Sequence, residues 1–158
     1  MRSQLRPCHL MVVCVLLLTL DGCFLQPLPH SDYRPIHQAA GGCDAATVAL
    51  ILSTDPAALN ATEDGGRSAL HVASAYCCTN VLALLLAKGA KLELKGKTGE
   101  TPLHVAAQEG CVAAVTMLIN KGADKNARDN EGHTPLKRAI DYQQSATADS
   151  LRKFGASE

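Results

Sequence analysis

Cysteine and histidine are the residues in this chain whose type and spacing could carry chemistry. Seven cysteines and six histidines stand among 158 residues. Together such side chains build zinc sites, and with an acid they build nucleophilic centres. His37, His71 and His104 recur at one register, and Cys43 matches Cys77 as Cys78 matches Cys111. If the register marks stacked helices, equivalent side chains lie about 10 Å apart. Histidines that far apart cannot share a metal whose ligands sit at about 2 Å, so no metal ligand is assigned. His133 differs from the other three because it falls in a polar loop where a partner could reach it.

The same spacing bears on the thiols. Cys8 and Cys14 fall in the N-terminal segment, and setting aside Cys23 as well leaves four cysteines. An even number in an exported chain invites a disulfide reading. Bridged residues need Cα atoms within roughly 7 Å, and equivalent cysteines one repeat apart exceed that. Cys77 and Cys78 are adjacent, and no C-x-x-C occurs. The expectation is therefore unbridged, half-buried thiols between two helices. Catalysis has no candidate: no G-x-S-x-G, H-E-x-x-H or P-loop pattern occurs. Ser68 reads as a helix cap and Asp64 as a solvated turn carboxylate. No catalytic residue and no cofactor are expected, and the chain is not expected to be an enzyme.

The elements that position these residues repeat. SALHVASAYCC from Ser68, TPLHVAAQEGC from Thr101 and TPLKRAIDYQQ from Thr134 align without a gap, 33 residues apart. RPIHQAAGGCD starts 34 residues before Ser68, with one residue inserted near Asp55-Pro56. In the third copy, Thr101-Pro102 places a capping hydroxyl before a proline at the first helical position. A short helix follows and stops near Gly110. A second helix is predicted from about Val112 to Lys121, with Val115, Leu118 and Ile119 on one face. Gly122 ends it, as Gly89 and Gly155 do in their copies. The polar stretch from Asp124 to His133 reads as an extended hairpin loop. Glu93 stands where the other loops carry Asn60 and Asn126, so the geometry of that loop is open. One such unit cannot bury its apolar face alone, whereas stacked copies share a continuous seam. Composition agrees, because 47% of residues are hydrophobic but only 3% aromatic, which suits close helix stacking over a deep ligand pocket.

These residues closely resemble the ankyrin repeat, whose T-P-L-H-x-A signature stands intact at Thr101–Ala106 and with two changes at Ser68–Ala73. The resemblance covers residues 34–158. It implies an all-α solenoid with short β-hairpin loops, built from four stacked helix-turn-helix repeats at about 34–67, 68–100, 101–133 and 134–158. It also implies that the histidines are structural and hydrogen-bond across the turn of each repeat. The last copy carries Lys137 in place of the histidine and Arg152 where Leu86 and Ile119 stand, as expected of a cap facing water.

The N-terminus reads as an export segment. Arg2 and Arg6 precede LMVVCVLLLTL, a run shorter than the roughly 20 residues a spanning helix needs. Leu20, Gly22 and Cys23 resemble the lipobox of bacterial lipoproteins, from which Asp21 departs. Residues 1–22 are read as a signal peptide, with lipidation at Cys23 or an ordinary cleavage nearby as alternatives. Residues 23–33 are read as a tether. Without residues 1–22 the chain has 13 basic and 14 acidic residues and no basic stripe, which gives no support for nucleic-acid binding.

Ankyrin-like stacks bind through loop tips and the open face of the first helices. Carried over by register, this ribbon comprises Thr62, Asp64, Gly65 and Arg67, then Lys95, Lys97, Thr98 and Glu100, then Arg128, Asn130, Glu131 and His133. On the helix face it comprises Ala75, Tyr76, Gln108, Glu109, Asp141 and Tyr142. Two of the three tyrosines fall on it, and tyrosine is enriched among interface anchors. The fingers differ in sign, the first acidic at Glu63 and Asp64, the second basic at Lys91, Lys95 and Lys97. The expected function is an exported, monomeric module of the periplasm or cell envelope that holds a partner protein and meets membrane only through a lipid at Cys23. The alternatives are a structural envelope protein without a discrete ligand, or a cytosolic adaptor.

Overall fold

A computed structural model describes residues 34–158. The signal, the Cys23 lipidation site and the tether lie outside the described residues. Among the described residues, no helix is long and apolar enough to cross a membrane.

Helices come in pairs. Helix α1 (Arg34–Gly41) precedes α2 (Ala45–Thr54), α3 (Ala69–Ala75) precedes α4 (Thr79–Ala87), α5 (Pro102–Gln108) precedes α6 (Val112–Asn120), and α7 (Pro135–Asp141) precedes α8 (Ser145–Lys153). A 3-10 turn, Pro56–Asn60, accommodates the extra residue after α2, with Asp55 capping it. Each helix starts and stops for a local reason. In α5, Pro102 occupies the first turn, where its missing N–H costs nothing, and the Thr101 hydroxyl accepts the His104 N–H. The first helix of every pair ends on a left-handed residue: Cys43, Cys77, Gly110 and Gln143, with φ between 55° and 77°. The amide of the following residue then bonds back to the helix, as from Asp44 to Ala39 O or Cys78 to Ala73 O, both at 2.9 Å.

The first helices stack as one layer and the second helices as another. Ile36, Leu70, Leu103 and Leu136 run down the stack, and Val48, Leu82, Leu85, Val115, Leu118 and Leu151 fill it from behind. Each such leucine contributes roughly 1.5–3 kcal/mol when withdrawn from water. Ala39, Ala73, Ala106 and Ala139 hold one register position of the first helices, and all four are buried.

Two expectations need correction. The first concerns the loops: among the described residues no β-strand forms, so they are not β-hairpins. One isolated antiparallel bridge occurs among these residues, Thr62 with Ser68. Each finger is a tight turn closed by one backbone bond at its neck, from Glu63 N to Arg67 O, Gly96 N to Glu100 O and Asp129 N to His133 O. The fingers are too short for a ladder: in each, a second amide turns back within the finger, from Gly66 to Glu63 O, Gly99 to Gly96 O and Gly132 to Asp129 O, and one amide each of the second and third fingers bonds sideways to the finger before it. Lys97 N donates to Gly65 O and Asn130 N to Thr98 O, both at 3.0 Å.

The second correction concerns the cysteines. Cys43 bridges Cys78 and Cys77 bridges Cys111, with Cα separations of 4.9 and 5.7 Å. Equivalent cysteines do stand a repeat apart, but the bridges do not join equivalents. Each runs diagonally, from the left-handed turn residue of one pair to the residue after the turn in the next. The left-handed backbone leaves the first thiol outside the turn, and a one-residue offset brings it within reach of its partner. Disulfides persist in oxidising compartments, which agrees with a non-cytoplasmic setting.

Candidate site: the cleft between the fingers and the first helices

Three hydrogen-bond series hold the fingers in place. The first is the histidine series. His71 Nδ1 accepts the Ser68 N–H at 3.1 Å, and His104 Nδ1 accepts that of Thr101 at 3.2 Å. An accepting Nδ1 fixes the proton on Nε2, which donates to the carbonyl leading into the next pair: Glu100 O at 3.1 Å and His133 O at 3.0 Å. His37 Nε2 makes the same bond to Arg67 O at 2.9 Å. The histidines are thus structural and reach beyond their own turn to the following junction. Burial, partly offset by these carbonyls, pushes the His71 and His104 pKa values below the usual imidazole value.

The second series joins the roots of the fingers. Asn60 Oδ1 accepts the Lys91 N–H, Glu93 Oε1 that of Asp124, and Asn126 Oδ1 that of Ser157, at 2.8 to 2.9 Å. Glu93 therefore performs the asparagine's task, and the loop left open from sequence has the same geometry as its neighbours. The third series runs finger to finger: Lys95 Nζ donates to Arg128 O, and Asn130 Nδ2 to Lys97 O. Gly99 has to be glycine here, because a Cβ would overlap Asn130.

A cleft of about 470 Å³ opens between the fingers and the first helices. Eight of the ribbon residues named from sequence line it: Gly65, Arg67, Lys97, Thr98, Glu100, Gln108, Glu131 and Tyr142. Of the others, Lys95, Arg128 and Asn130 hold fingers together. Asp141 pairs with Lys137 at 2.6 Å, and Glu109 accepts from Gln108. Thr62, Asp64 and His133 sit on the fingers outside the cleft lining. Tyr76 is 66% exposed, lies against Gly41 and is not part of the cleft lining, whereas Tyr142, 50% exposed, forms part of its wall.

Charges in the cleft are largely satisfied. Arg67 donates twice to Glu100 Oε1, at 2.8 and 3.0 Å. Arg138, which sequence reasoning missed, rises from α7 to donate to Asp129 Oδ2 at 2.7 Å and Glu131 Oε2 at 2.8 Å. The buried Asp129 carboxylate also accepts the Glu131 and His133 amides, each at 2.9 Å. Burial opposes its ionisation, but Arg138 and these amides outweigh it and hold the pKa below the usual carboxylate range. The signal for Arg138 was present as a departure from register: Val72 and Val105 occupy its position in the middle copies. Asp129, Glu131 and His133 also bring potential metal-ligating atoms within 4.8 Å of one another. The Arg138 guanidinium already supplies the cation to both carboxylates, which disfavours a second cation there.

Residues 90–157 match the family model described as ankyrin repeats (3 copies), and residues 65–97 match the model described as ankyrin repeat. No curated protein matches the chain significantly. The matched residues contain both sets of signature residues, the second and third fingers and most of the cleft.

Proposed function

From the premise that ankyrin-repeat domains are present, and that this solenoid is a non-catalytic scaffold suited to a protein partner, we propose that the chain is an exported module that holds one partner protein in the cleft. The observation that carries this reading is the convergence of eight ribbon residues on one concavity, Tyr142 among them. Fixed charge pairs at Arg67–Glu100 and Arg138–Glu131 would set the register of a partner, because they are held before it arrives. The two disulfides support the exported part of the reading. Within it, residues 1–22 act as the signal, Cys23 is the lipidation site, and the module works as a monomer.

A photo-crosslinking residue placed at Tyr142, and in parallel at Leu50 on the opposite layer, tests the cleft. Capture of a single saturable species from position 142 only is the expected result, and Tyr142→Ala should abolish capture by native contacts while the melting temperature barely moves. Equal labelling from both positions would remove the cleft from the proposal. Fractionation with palmitate labelling of wild type and Cys23→Ala tests export and anchoring separately.

A further inference from the structure

The first finger root carries an unused pair of groups. Asn60, Ala61 and Thr62 form the sequence Asn-x-Thr, and none of the other four asparagines has Ser or Thr two residues on. Such a triplet is the acceptor for N-linked oligosaccharide when it lies on the surface of an exported chain. Asn60 Oδ1 accepts the Lys91 N–H at 2.8 Å, and that backbone donor fixes which way the amide faces. The Nδ2 on the other side has no hydrogen-bond partner and is not among the buried unpaired atoms, so it reaches solvent. Thr62 is exposed, and its hydroxyl makes no hydrogen bond. The fold uses its backbone, in the bridge to Ser68, and not its side chain. The equivalent acceptors at the other finger roots, Glu93 and Asn126, are not followed by this pattern, so the root bond itself does not require it.

We propose that Asn60 is an N-glycosylation site, an inference that rests on the reading of the chain as exported. Nδ2 attacks the anomeric carbon of an oligosaccharide carried on a polyprenyl pyrophosphate. The C–N bond forms, the glycosyl C–O bond breaks, the polyprenyl pyrophosphate leaves, and the amide releases one proton. No electron transfer is involved. The product keeps Oδ1 free to accept from Lys91, so the modified side chain retains the bond that ties the first finger to the second. The two disulfides point to the same oxidising side of a membrane on which this transfer takes place.

The test expresses the full chain in a eukaryotic secretory cell in two versions, one with its own N-terminus and one with residues 1–22 replaced by a proven cleavable signal. Gel mobility and peptide mass are read before and after peptide-N-glycosidase, which leaves Asp at the released site. The expected result is a one-glycan shift mapped to Asn60, kept by Thr62→Ser and lost by Thr62→Ala and Asn60→Gln. A shift only in the version with the replacement signal upholds the glycosylation site and removes export by the native N-terminus. An unshifted product from that version, whether secreted or held in the lumen, overturns the proposal.

Discussion

The junctions between successive helix pairs are built in two ways. The first two are covalent, tied at the inter-helix turns by Cys43–Cys78 and Cys77–Cys111. The third has no thiol at the corresponding turn; Gly110 takes the left-handed position, and the Gln144 side chain fills the space its Cβ would occupy. Instead the last pair is held from the finger side. Arg138 on α7 grips Asp129 and Glu131 of the third finger, Lys125 Nζ donates to Phe154 O at 2.6 Å, and Ser157 binds back to Asn126 and to Thr134. A cross-link constrains the unfolded chain, while an ion pair acts only in the folded one. The two ends of one stack therefore differ in what backs up their polar contacts: the first three pairs have cross-links sensitive to redox state, and the last relies on groups sensitive to pH and ionic strength alone.

Reducing both disulfides should have the largest effect. The bridged residues are 35 and 34 apart in sequence, for which loop entropy predicts about 3–4 kcal/mol each. Melting with and without a dithiol reductant reads the loss, and hydrogen exchange should show that protection in α2 and α4 falls towards that of α8. Unchanged exchange in α2 and α4 would end the comparison. Arg138→Ala comes next. It should cost about 2 kcal/mol, less than a fully buried pair because Asp129 keeps two backbone donors, and proteolysis of the native state should then begin in α7 or α8. Denaturant titration and N-terminal mapping of the fragments check both parts. Gly110→Cys with Gln144→Cys should sharpen the comparison by adding a third rung. It should gain about 1–2 kcal/mol, since engineered bridges usually deliver less than loop entropy allows. A thiol count and the melting temperature decide it.

The smallest expected effect is pH dependence. His71 and His104 have lowered pKa values in the fold. The folded state binds fewer protons, so their contribution is complete above about pH 6.5 and declines as pH falls below it. Asp129 acts in the same direction further down: its contribution is present above about pH 4 and is lost as the carboxylate protonates. Mild acid should therefore open the fourth pair before the disulfide-tied ones, and His104→Gln should flatten the melting profile between pH 7 and pH 5, roughly the titration range of histidine. A profile equally steep in that variant would place the acid sensitivity elsewhere.

Much of the fold could be read from the repeat. The Thr-Pro starts, the glycine stops and the small residues at Ala73 and Ala106 each state a local constraint that the helices obey. The disulfides were missed because the comparison was made between equivalent positions, while the bonds join positions one residue out of register. Left-handed φ at Cys43 and Cys77 creates that offset, and nothing in a residue's type announces it when the residue is not glycine. The hairpins were over-read because polar, turn-rich loops say where a chain reverses and not whether two strands pair. Register also carried the ribbon to eight residues of the cleft, yet it passed over Arg138, because register transfers only positions that the copies share, and the middle copies hold Val72 and Val105 there.

The Cys77-Cys78 dipeptide has a further consequence. Its two thiols face opposite neighbours, one back to Cys43 and one forward to Cys111. A repeat with both cysteines behaves as a bifunctional monomer, and repeats with only one behave as chain terminators: the first carries Asp44 at the second position, the third Gly110 at the first. Tandem duplication of the second repeat would therefore lengthen the cross-linked run by one rung per copy, with no new cysteine to evolve and no thiol left over.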